Sequence, residues 1–191
     1  MRRLIFEREQ LVTMSMAARE NQFVELLEQH KKILFKVAHV YCRNRADFAD
    51  VVQEIALQAW RSFGRYDHSR SFSTWMYRIA LNVAISAYRA ETRRSRTFVP
   101  ADDSIVEIAA PPSEADELEA RLRLLHNLID EFGELDKALV LLYLDGNSNA
   151  VIAEILGLSV TNVGTRINRI KQRLQRNSVD LSKREYSHGL Q

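Results

Sequence analysis

Apolar residues recur every three or four positions over most of this chain, and residues that interrupt helices are few. Only 6 glycines and 3 prolines occur among 191 residues. The run that begins at Phe23 continues with Leu26, Leu27, Ile33, Leu34, Val37, Ala38 and Tyr41. One apolar stripe at this spacing predicts an amphipathic helix with one buried side. The sequence therefore predicts an all-α protein.

Two further stripes predict a three-helix N-terminal domain, which we place at residues 21–96. A helix from about Arg45 to Gly64 carries Phe48, Val51, Val52, Ile55, Ala59 and Phe63. A polar loop follows, and Ser71 or Ser73 can cap the third helix. We expect this helix to bury Trp75, Met76, Ile79, Ala80, Val83 and Ala87. Its outward residues are then Thr74, Arg78, Asn82, Ile85 and Arg89.

Residues 97–113 contain all three prolines among small and acidic residues, which predicts a flexible linker. A folded extension of either domain is the alternative. Helical spacing resumes at Ser113, and we place a second small helical domain at residues 114–177. Its first stripe is Leu118, Leu122, Leu125 and Ile129, and a short apolar helix over residues 135–144 ends at Asp145-Gly146-Asn147.

Residues 150–174 have the pattern of a helix-turn-helix. A short helix leads to Gly157, which suits a tight turn, and Ser159 starts a longer helix with the stripe Val160, Val163, Ile167, Ile170 and Leu174. On the longer helix we then expect five residues to face outward, namely Asn162, Thr165, Arg166, Arg169 and Arg173. Short polar side chains suit base edges, and arginines suit phosphates and guanines. A helical hairpin with a solvated basic face is the alternative.

The distribution of charge is more informative than its total, which is only +2. One basic cluster contains Arg89, Arg93, Arg94 and Arg96. A second contains Arg166, Arg169, Lys171, Arg173 and Arg176. Acidic residues lie between the two clusters. Two separate basic patches favour a nucleic-acid partner.

The predicted second helix carries an acidic face opposite its apolar stripe, formed by Asp47, Asp50, Gln53 and Glu54. Such a face can dock on a basic protein surface. A solvated face beside the positive end of the helix dipole is the commoner explanation on physical grounds alone. Aromatic residues near the third helix suit stacking with single-stranded bases, although Trp75 on the apolar stripe favours a core position.

Other classes of site have little support. Cys42 is the only cysteine, which excludes an intramolecular disulfide and fits the cytoplasm. No apolar run approaches the roughly 20 residues that cross a bilayer, so we expect neither membrane insertion nor a signal peptide. His39 and Cys42 are three residues apart, but packing explains them better than a metal site. We expect no metal, cofactor or catalytic residue, and hence no enzyme.

Four segments together resemble the sigma-70 family of RNA polymerase sigma factors. Residues 47–54 are similar to the D-x-x-D-V-V-Q-E segment of region two, and residues 72–82 to its F-x-T-W-L-Y-R-I-A-x-N motif. Residues 152–159 and the helix over residues 163–174 look like region four. Their order and separation agree over about residues 21–176, while residues 1–20 lie outside the resemblance. The small extracytoplasmic-function group is indicated, since the other sigma regions are absent.

This resemblance implies a subunit that binds core RNA polymerase, recognises promoter DNA and initiates transcription. The face with Asp47, Asp50, Gln53 and Glu54 would dock on the polymerase clamp. Asn82 and the loop over residues 64–73 would capture a flipped base of the minus-ten element. The DNA backbone there would be held by Arg78, Arg89, Arg93 and Arg94. Region four would read the minus-thirty-five element, and an anti-sigma protein is an expected partner.

Some positions depart from the family pattern. Ala150, Thr161, Asn162 and Gly164 differ from the usual residues around the helix-turn-helix, so the base preference stays open. Two other functions are alternatives. One is a helix-turn-helix regulator that acts without polymerase. The other is a nuclease, although no acidic cluster converges at the spacing of a metal site.

Overall fold

A computed structural model describes residues 2–42, 44–97 and 132–188, with side chains at 17–42, 44–94 and 132–176. The chain forms two compact units, residues 1–88 and residues 89–191. Most of the expected linker and the stripe Leu118, Leu122, Leu125 and Ile129 lie outside the described residues.

The described residues contain six α-helices and no strand, which confirms the predicted all-α fold. Helices α1 (Arg2–Tyr41), α2 (Arg45–Ser62) and α3 (Phe72–Thr97) come first, with a 3-10 turn at Phe63–Arg65. Helices α4 (Glu134–Leu144), α5 (Asn149–Leu156) and α6 (Val160–His188) follow. No single helix in these segments is long and apolar enough to cross a membrane, and only α5 and α6 taken together across their bend would pass.

The N-terminal unit packs around the predicted stripes of α1 and α2. Buried residues include Phe23, Leu34 and Val37 of α1 and Ile55 and Ala59 of α2. Helix α2 begins where the sequence predicts, because the side chain of Asn44 accepts a 2.8 Å hydrogen bond from the backbone N–H of Asp47. This N-cap satisfies one of the free donors at the start of the helix.

The predicted inner face of α3 was partly wrong. Its buried residues are Phe72, Thr74, Met76, Tyr77, Ala80, Leu81 and Ala84. Thr74, which we expected to be outward, is therefore buried, and Ile85 is half-buried. Trp75, Ile79, Val83 and Ala87 are also only half-buried. The reason is that α3 has apolar residues on more than one side, and the side that faces α1, where Phe72 meets His30 and Tyr88 meets Tyr41, is the most buried.

The second unit is built on α4, which buries Ala138, Leu139 and Leu142. Lys137 is also buried, which its charge gave no reason to expect. Helix α4 ends at Leu144, as predicted, and Gly146 follows with a φ of +79°. The N–H of Asn147 donates to the carbonyl of Leu142, and that of Gly146 donates to the carbonyl of Tyr143. This pair of bonds is a Schellman motif, which requires the left-handed residue that glycine supplies.

Candidate nucleic-acid and protein interfaces

Helices α5 and α6 form the predicted helix-turn-helix. Their axes make an angle of 105°, within the range of this motif. Gly157 connects them with a φ of +68° and has open space around it, so backbone conformation rather than crowding requires glycine there. Ser148 caps α5 by accepting from the N–H of Val151. Ser159 caps α6 by accepting from the N–H of Asn162.

The buried side of α6 agrees with most of the predicted stripe. Val163, Ile167 and Ile170 are buried. Helix α6 packs there against α5, whose buried residues are Ile152, Ala153 and Ile155. The prediction that Val160 is buried is wrong, since 51% of its surface is exposed. It occupies the first position of α6, ahead of the part of the helix that packs against its neighbours. Leu174, near the other end of the stripe, is half-buried.

The outer side of α6 carries the residues that the sequence assigned to DNA. Asn162, Thr165, Arg169 and Arg173 are exposed. Arg166 differs, because its guanidinium turns toward α4. Its Nη1 lies 2.9 Å from Oδ1 of Asp136, and its Nε donates to Oδ1 of Asn162 over 3.2 Å. Nothing in the sequence pattern indicated Asp136 as a partner, because the two residues are 30 positions apart.

Aromatic residues hold two other cations of α6. The Nζ of Lys171 lies 2.7 Å from the hydroxyl of Tyr143 and 4.3 Å from the centre of its ring. The guanidinium of Arg173 lies 4.9 Å from the ring centre of Phe132. Cations placed over ring faces are attracted electrostatically, and their aliphatic stems are ordered by the contact. The basic face of α6 is therefore partly held in place by its own unit.

The acidic face of α2 divides into two parts. Asp47 is engaged in the helix cap, where its carboxylate also accepts a 2.7 Å hydrogen bond from Asn44. Asp50 and Gln53 are exposed, and Glu54 is half-buried and accepts a 2.7 Å hydrogen bond from Gln58. The local role of Asp47 at the helix start matches the solvated alternative, in which an acid stabilises the N-terminus of the helix.

A groove of about 610 Å³ separates α2 from α3 within the N-terminal unit. Asp50, Glu54 and Gln58 of α2 line it, together with Asn82 and Ser86 of α3. Its apolar walls are Val51, Ile79, Val83 and Ala87, with Ser62 also among the lining residues. The family resemblance implies separate roles for Asp50 and Asn82, and nothing in the sequence indicated that they share one groove. Ile79, Val83 and Ala87, which we expected in the core of α3, therefore line this groove instead.

The exposed side of α3 carries the other predicted DNA contacts. Arg78, Asn82, Arg89, Arg93 and Arg94 are all exposed. Arg94 lies 3.6 Å from Glu91, and both side chains are largely in water. An exposed ion pair of this kind is worth little, so it leaves the arginine available to a phosphate.

The loop before α3 is held by aromatic contacts. The ring of Tyr66 lies 5.0 Å from that of Trp75 and 5.5 Å from that of Phe72. The hydroxyl of Tyr66 donates to the carbonyl of Arg70 over 2.6 Å. The side-chain and backbone donors of Ser69 lower the pKa of Asp67. Trp75 thus belongs to an aromatic cluster at the base of the loop and is half-buried rather than a full core residue.

His39 is exposed but its ring packs against a neighbouring ring, and Cys42 is half-buried. The ring of His39 lies 4.5 Å from that of Phe48. Burial raises the pKa of the Cys42 thiol to about 11, with a smaller contribution from the charge of Asp47. Among the side chains that the structure describes, no three His, Cys, Asp or Glu residues come together as a metal site.

Families of known proteins match segments in both parts of the chain. The family described as sigma-70 region 2 matches residues 26–94, and sigma-70 region 4 matches residues 122–174. The RNA polymerase sigma factor CnrH of Cupriavidus metallidurans is 30% identical over 175 residues, covering 86% of this chain and 90% of that protein. The ECF RNA polymerase sigma factor SigW of Bacillus subtilis is 25% identical, covering 85% of this chain and 91% of its own length.

Solved structures show the same fold. CnrH in complex with the cytosolic domain of CnrY has a TM-score of 0.65 at 23% identity, covering 84% of this chain and 90% of that one. The sigma factor RpoE of Bartonella quintana in complex with the anti-sigma factor NepR has a TM-score of 0.59 at 18% identity, covering 82% and 94%. The chain therefore belongs to the sigma-70 family, as an RNA polymerase sigma factor of the ECF group that acts in transcription initiation.

Proposed function

We propose that this sigma factor divides promoter recognition between its two units, with domain limits at residues 21–96 and 114–177 and a linker at 97–113. The N-terminal unit binds the polymerase clamp and the minus-ten element. The helix-turn-helix reads the minus-thirty-five element. The proposal rests on the presence of both features in one chain. One unit has an acidic groove with apolar walls, and the other has a helix-turn-helix whose two helices make an angle of 105°.

The polymerase contact is assigned to Asp50, Gln53 and Glu54, with Asp47 at the edge. The exposed carboxylate of Asp50 and the half-buried one of Glu54 line a groove with apolar walls. Acidic groups around an apolar centre suit a basic partner surface that carries an apolar anchor, because the charges orient the partner and the apolar contact supplies affinity. Asp47 contributes less, since the cap of α2 already engages its carboxylate.

The minus-ten contact is assigned to Asn82 and the loop over residues 64–73, with Arg78, Arg89, Arg93 and Arg94 on the backbone. A flipped base requires a rigid receptor, because removing it from the stack costs a few kcal/mol. The ring of Tyr66 packs against those of Phe72 and Trp75, which supports the base of the loop. Exposed Asn82 offers both a donor and an acceptor to a base edge.

The minus-thirty-five contact is assigned to α6, through Asn162, Thr165, Arg166, Arg169 and Arg173. Asn162 and Thr165 lie in the first two turns of the helix, which is the end that enters the major groove in this motif. The exposed arginines lie further along and suit phosphates. The contacts of Lys171 and Arg173 with aromatic rings favour a preorganised basic face.

Regulation by an anti-sigma protein and a place in the cytoplasm complete the proposal. One of the similar structures, RpoE, is complexed with the anti-sigma factor NepR. A protein that covers the α2–α3 groove or the outer side of α6 would block polymerase or DNA. We assign no catalytic group to the chain itself. Purification from unstressed cells should recover a second protein that competes with core polymerase, and recovery of polymerase alone would contradict this part.

The test of the proposed function is transcription from a genomic library with purified core polymerase, followed by mapping of start sites. We expect start sites that depend on the chain and share two upstream elements. Core polymerase alone is the control. The same starts with and without the chain would contradict the proposal, as would a chain that does not bind the core enzyme.

A further inference from the structure

Three side chains from two helices form a connected polar network on the second unit. Asp136 of α4 binds Nη1 of Arg166 at 2.9 Å, and Nε of Arg166 binds Oδ1 of Asn162 at 3.2 Å. The side chains of Arg166 and Asp136 are 38% and 31% exposed, so the pair is more sheltered than the exposed ion pair of Arg94 and Glu91. The network ends at Asn162, which is exposed in the first turn of α6.

The network fixes which way the amide of Asn162 points. A guanidinium has only donors, so the Asn162 atom that faces Nε of Arg166 has to be the carbonyl oxygen. The amide nitrogen with its two N–H groups therefore points away from Arg166. An amide without such a neighbour can exchange its oxygen and nitrogen by a rotation of the side chain.

We infer that Asp136 is a positioning residue for promoter recognition, which acts through Arg166 to make Asn162 a hydrogen-bond donor toward DNA. The inference rests on the proposed role of α6 at the minus-thirty-five element. Asparagine usually reads adenine with its oxygen and nitrogen together, while guanine offers two adjacent acceptors in the major groove. Because the oxygen of Asn162 faces Arg166, the amide presents its donors to the DNA, and guanine, with two adjacent acceptors, is the base that we expect it to read.

Arg166 has a different role from the other arginines of α6. Its charge faces Asp136, whereas Arg169 is exposed and has no ion pair with any side chain that the structure describes. Removing Asp136 frees the guanidinium of Arg166 for phosphates. It therefore strengthens binding to any duplex while it weakens discrimination between sequences. Loss of a direct base contact would lower affinity for the specific duplex and leave other duplexes unchanged.

The experiment uses the full chain with core polymerase on a mapped promoter and on the same promoter with a scrambled minus-thirty-five element. The variants are Asp136→Ala, Asp136→Asn and Asn162→Ala. The control Glu154→Gln removes one exposed negative charge from α5 in the same unit. The contacted base is the position whose preference Asn162→Ala abolishes. It is then replaced by adenine or by 7-deazaguanine, and thermal unfolding checks that each variant folds.

We expect Asp136→Ala and Asn162→Ala each to lower discrimination about fivefold, the effect of one hydrogen bond. The double variant should lose no more than either, because the two residues act on one contact. Of the Asp136→Ala and Asn162→Ala variants, only Asp136→Ala should bind the scrambled duplex more tightly with a steeper salt dependence. Asp136→Asn, which keeps a carbonyl acceptor, should lie between the parent and Asp136→Ala.

Three results would overturn the inference. Asp136→Ala with the discrimination and salt dependence of the parent would remove the positioning role. A contacted base that is adenine would contradict the orientation of the amide. A parent chain that binds both duplexes alike would overturn the assignment of α6 to the minus-thirty-five element, and the inference with it. This last result is distinguishable, because it appears before any substitution is made.

Discussion

The polar side chains of α6 and those of the α2–α3 groove are held in different ways. On α6, three basic residues have partners in their own unit, namely Asp136 for Arg166, Tyr143 for Lys171 and Phe132 for Arg173. In the N-terminal unit the polar residues line an open volume of about 610 Å³, and aromatic rings pack at the base of the loop before α3. Fixed side chains suit a duplex of constant geometry. An open groove suits a partner or a base that enters it.

The largest expected effect is a loss of stability confined to the second unit, caused by a substitution in the core of α4. Leu139 is fully buried, so Leu139→Ala should lower the free energy of unfolding of the second unit by about 2–5 kcal/mol. Duplex binding should weaken, whereas binding to core polymerase through the α2–α3 groove should persist. Leu144 lies in the same helix with 71% of its surface exposed, so Leu144→Ala is the matched control for unfolding. Equal destabilisation by both substitutions, measured by thermal unfolding, would contradict the assigned core.

Charge reversal in the groove should have the next largest effect. Asp50→Lys and Glu54→Lys place positive charges where we propose that a basic polymerase surface docks, so affinity for the core should fall about tenfold or more. Affinity is measured by titration of labelled core polymerase. Glu28→Lys reverses an exposed charge on α1 and should leave the affinity unchanged. If both groove variants bind the core as the parent does, the docking surface lies elsewhere.

A smaller effect is expected from Asn82 at the edge of the same groove. Asn82→Ala removes one hydrogen bond to a captured base, so promoter opening should fall about fivefold while duplex binding is kept. Permanganate reactivity of thymines in the minus-ten element measures the opening. Gln29→Ala removes an exposed amide on α1, outside the groove, and it should open the promoter normally. Normal opening by Asn82→Ala would remove this residue from the site.

The smallest effect concerns Cys42, which reports on the packing of the N-terminal unit. Its pKa is raised from 9.0 to about 11, so the thiolate is scarce until the pH passes well above 9. Alkylation of the native chain at pH 9 should therefore be many times slower than alkylation of the unfolded chain. Since the folded pKa is raised, this group stabilises the fold below pH 9 and loses that contribution as the pH rises toward 11. Equal alkylation rates in both states would contradict the burial of the thiol.

The two units also differ in how well their structure could be predicted from the sequence. The turn of the helix-turn-helix was predictable, because Gly157 and the caps Ser148 and Ser159 act on neighbouring residues. The buried side of α3 was not, because its apolar residues extend over two sides and only the packed neighbours decide between them. In the structure Thr74 is buried, whereas Ile79 and Val83 line the groove. Asp136 was missed for a similar reason, since its pairing with Arg166 depends on how α4 packs against α6.

The central claim is that one chain reads a duplex with one unit and an opened strand with the other. Footprinting of the chain with core polymerase on a mapped promoter tests it most directly. We predict two protected segments, near minus thirty-five and minus ten, with permanganate-reactive thymines only in the second and only when the core enzyme is present. Protection of a single segment by the chain alone, with no reactive thymine after core polymerase is added, would contradict this claim and indicate a regulator that acts without polymerase.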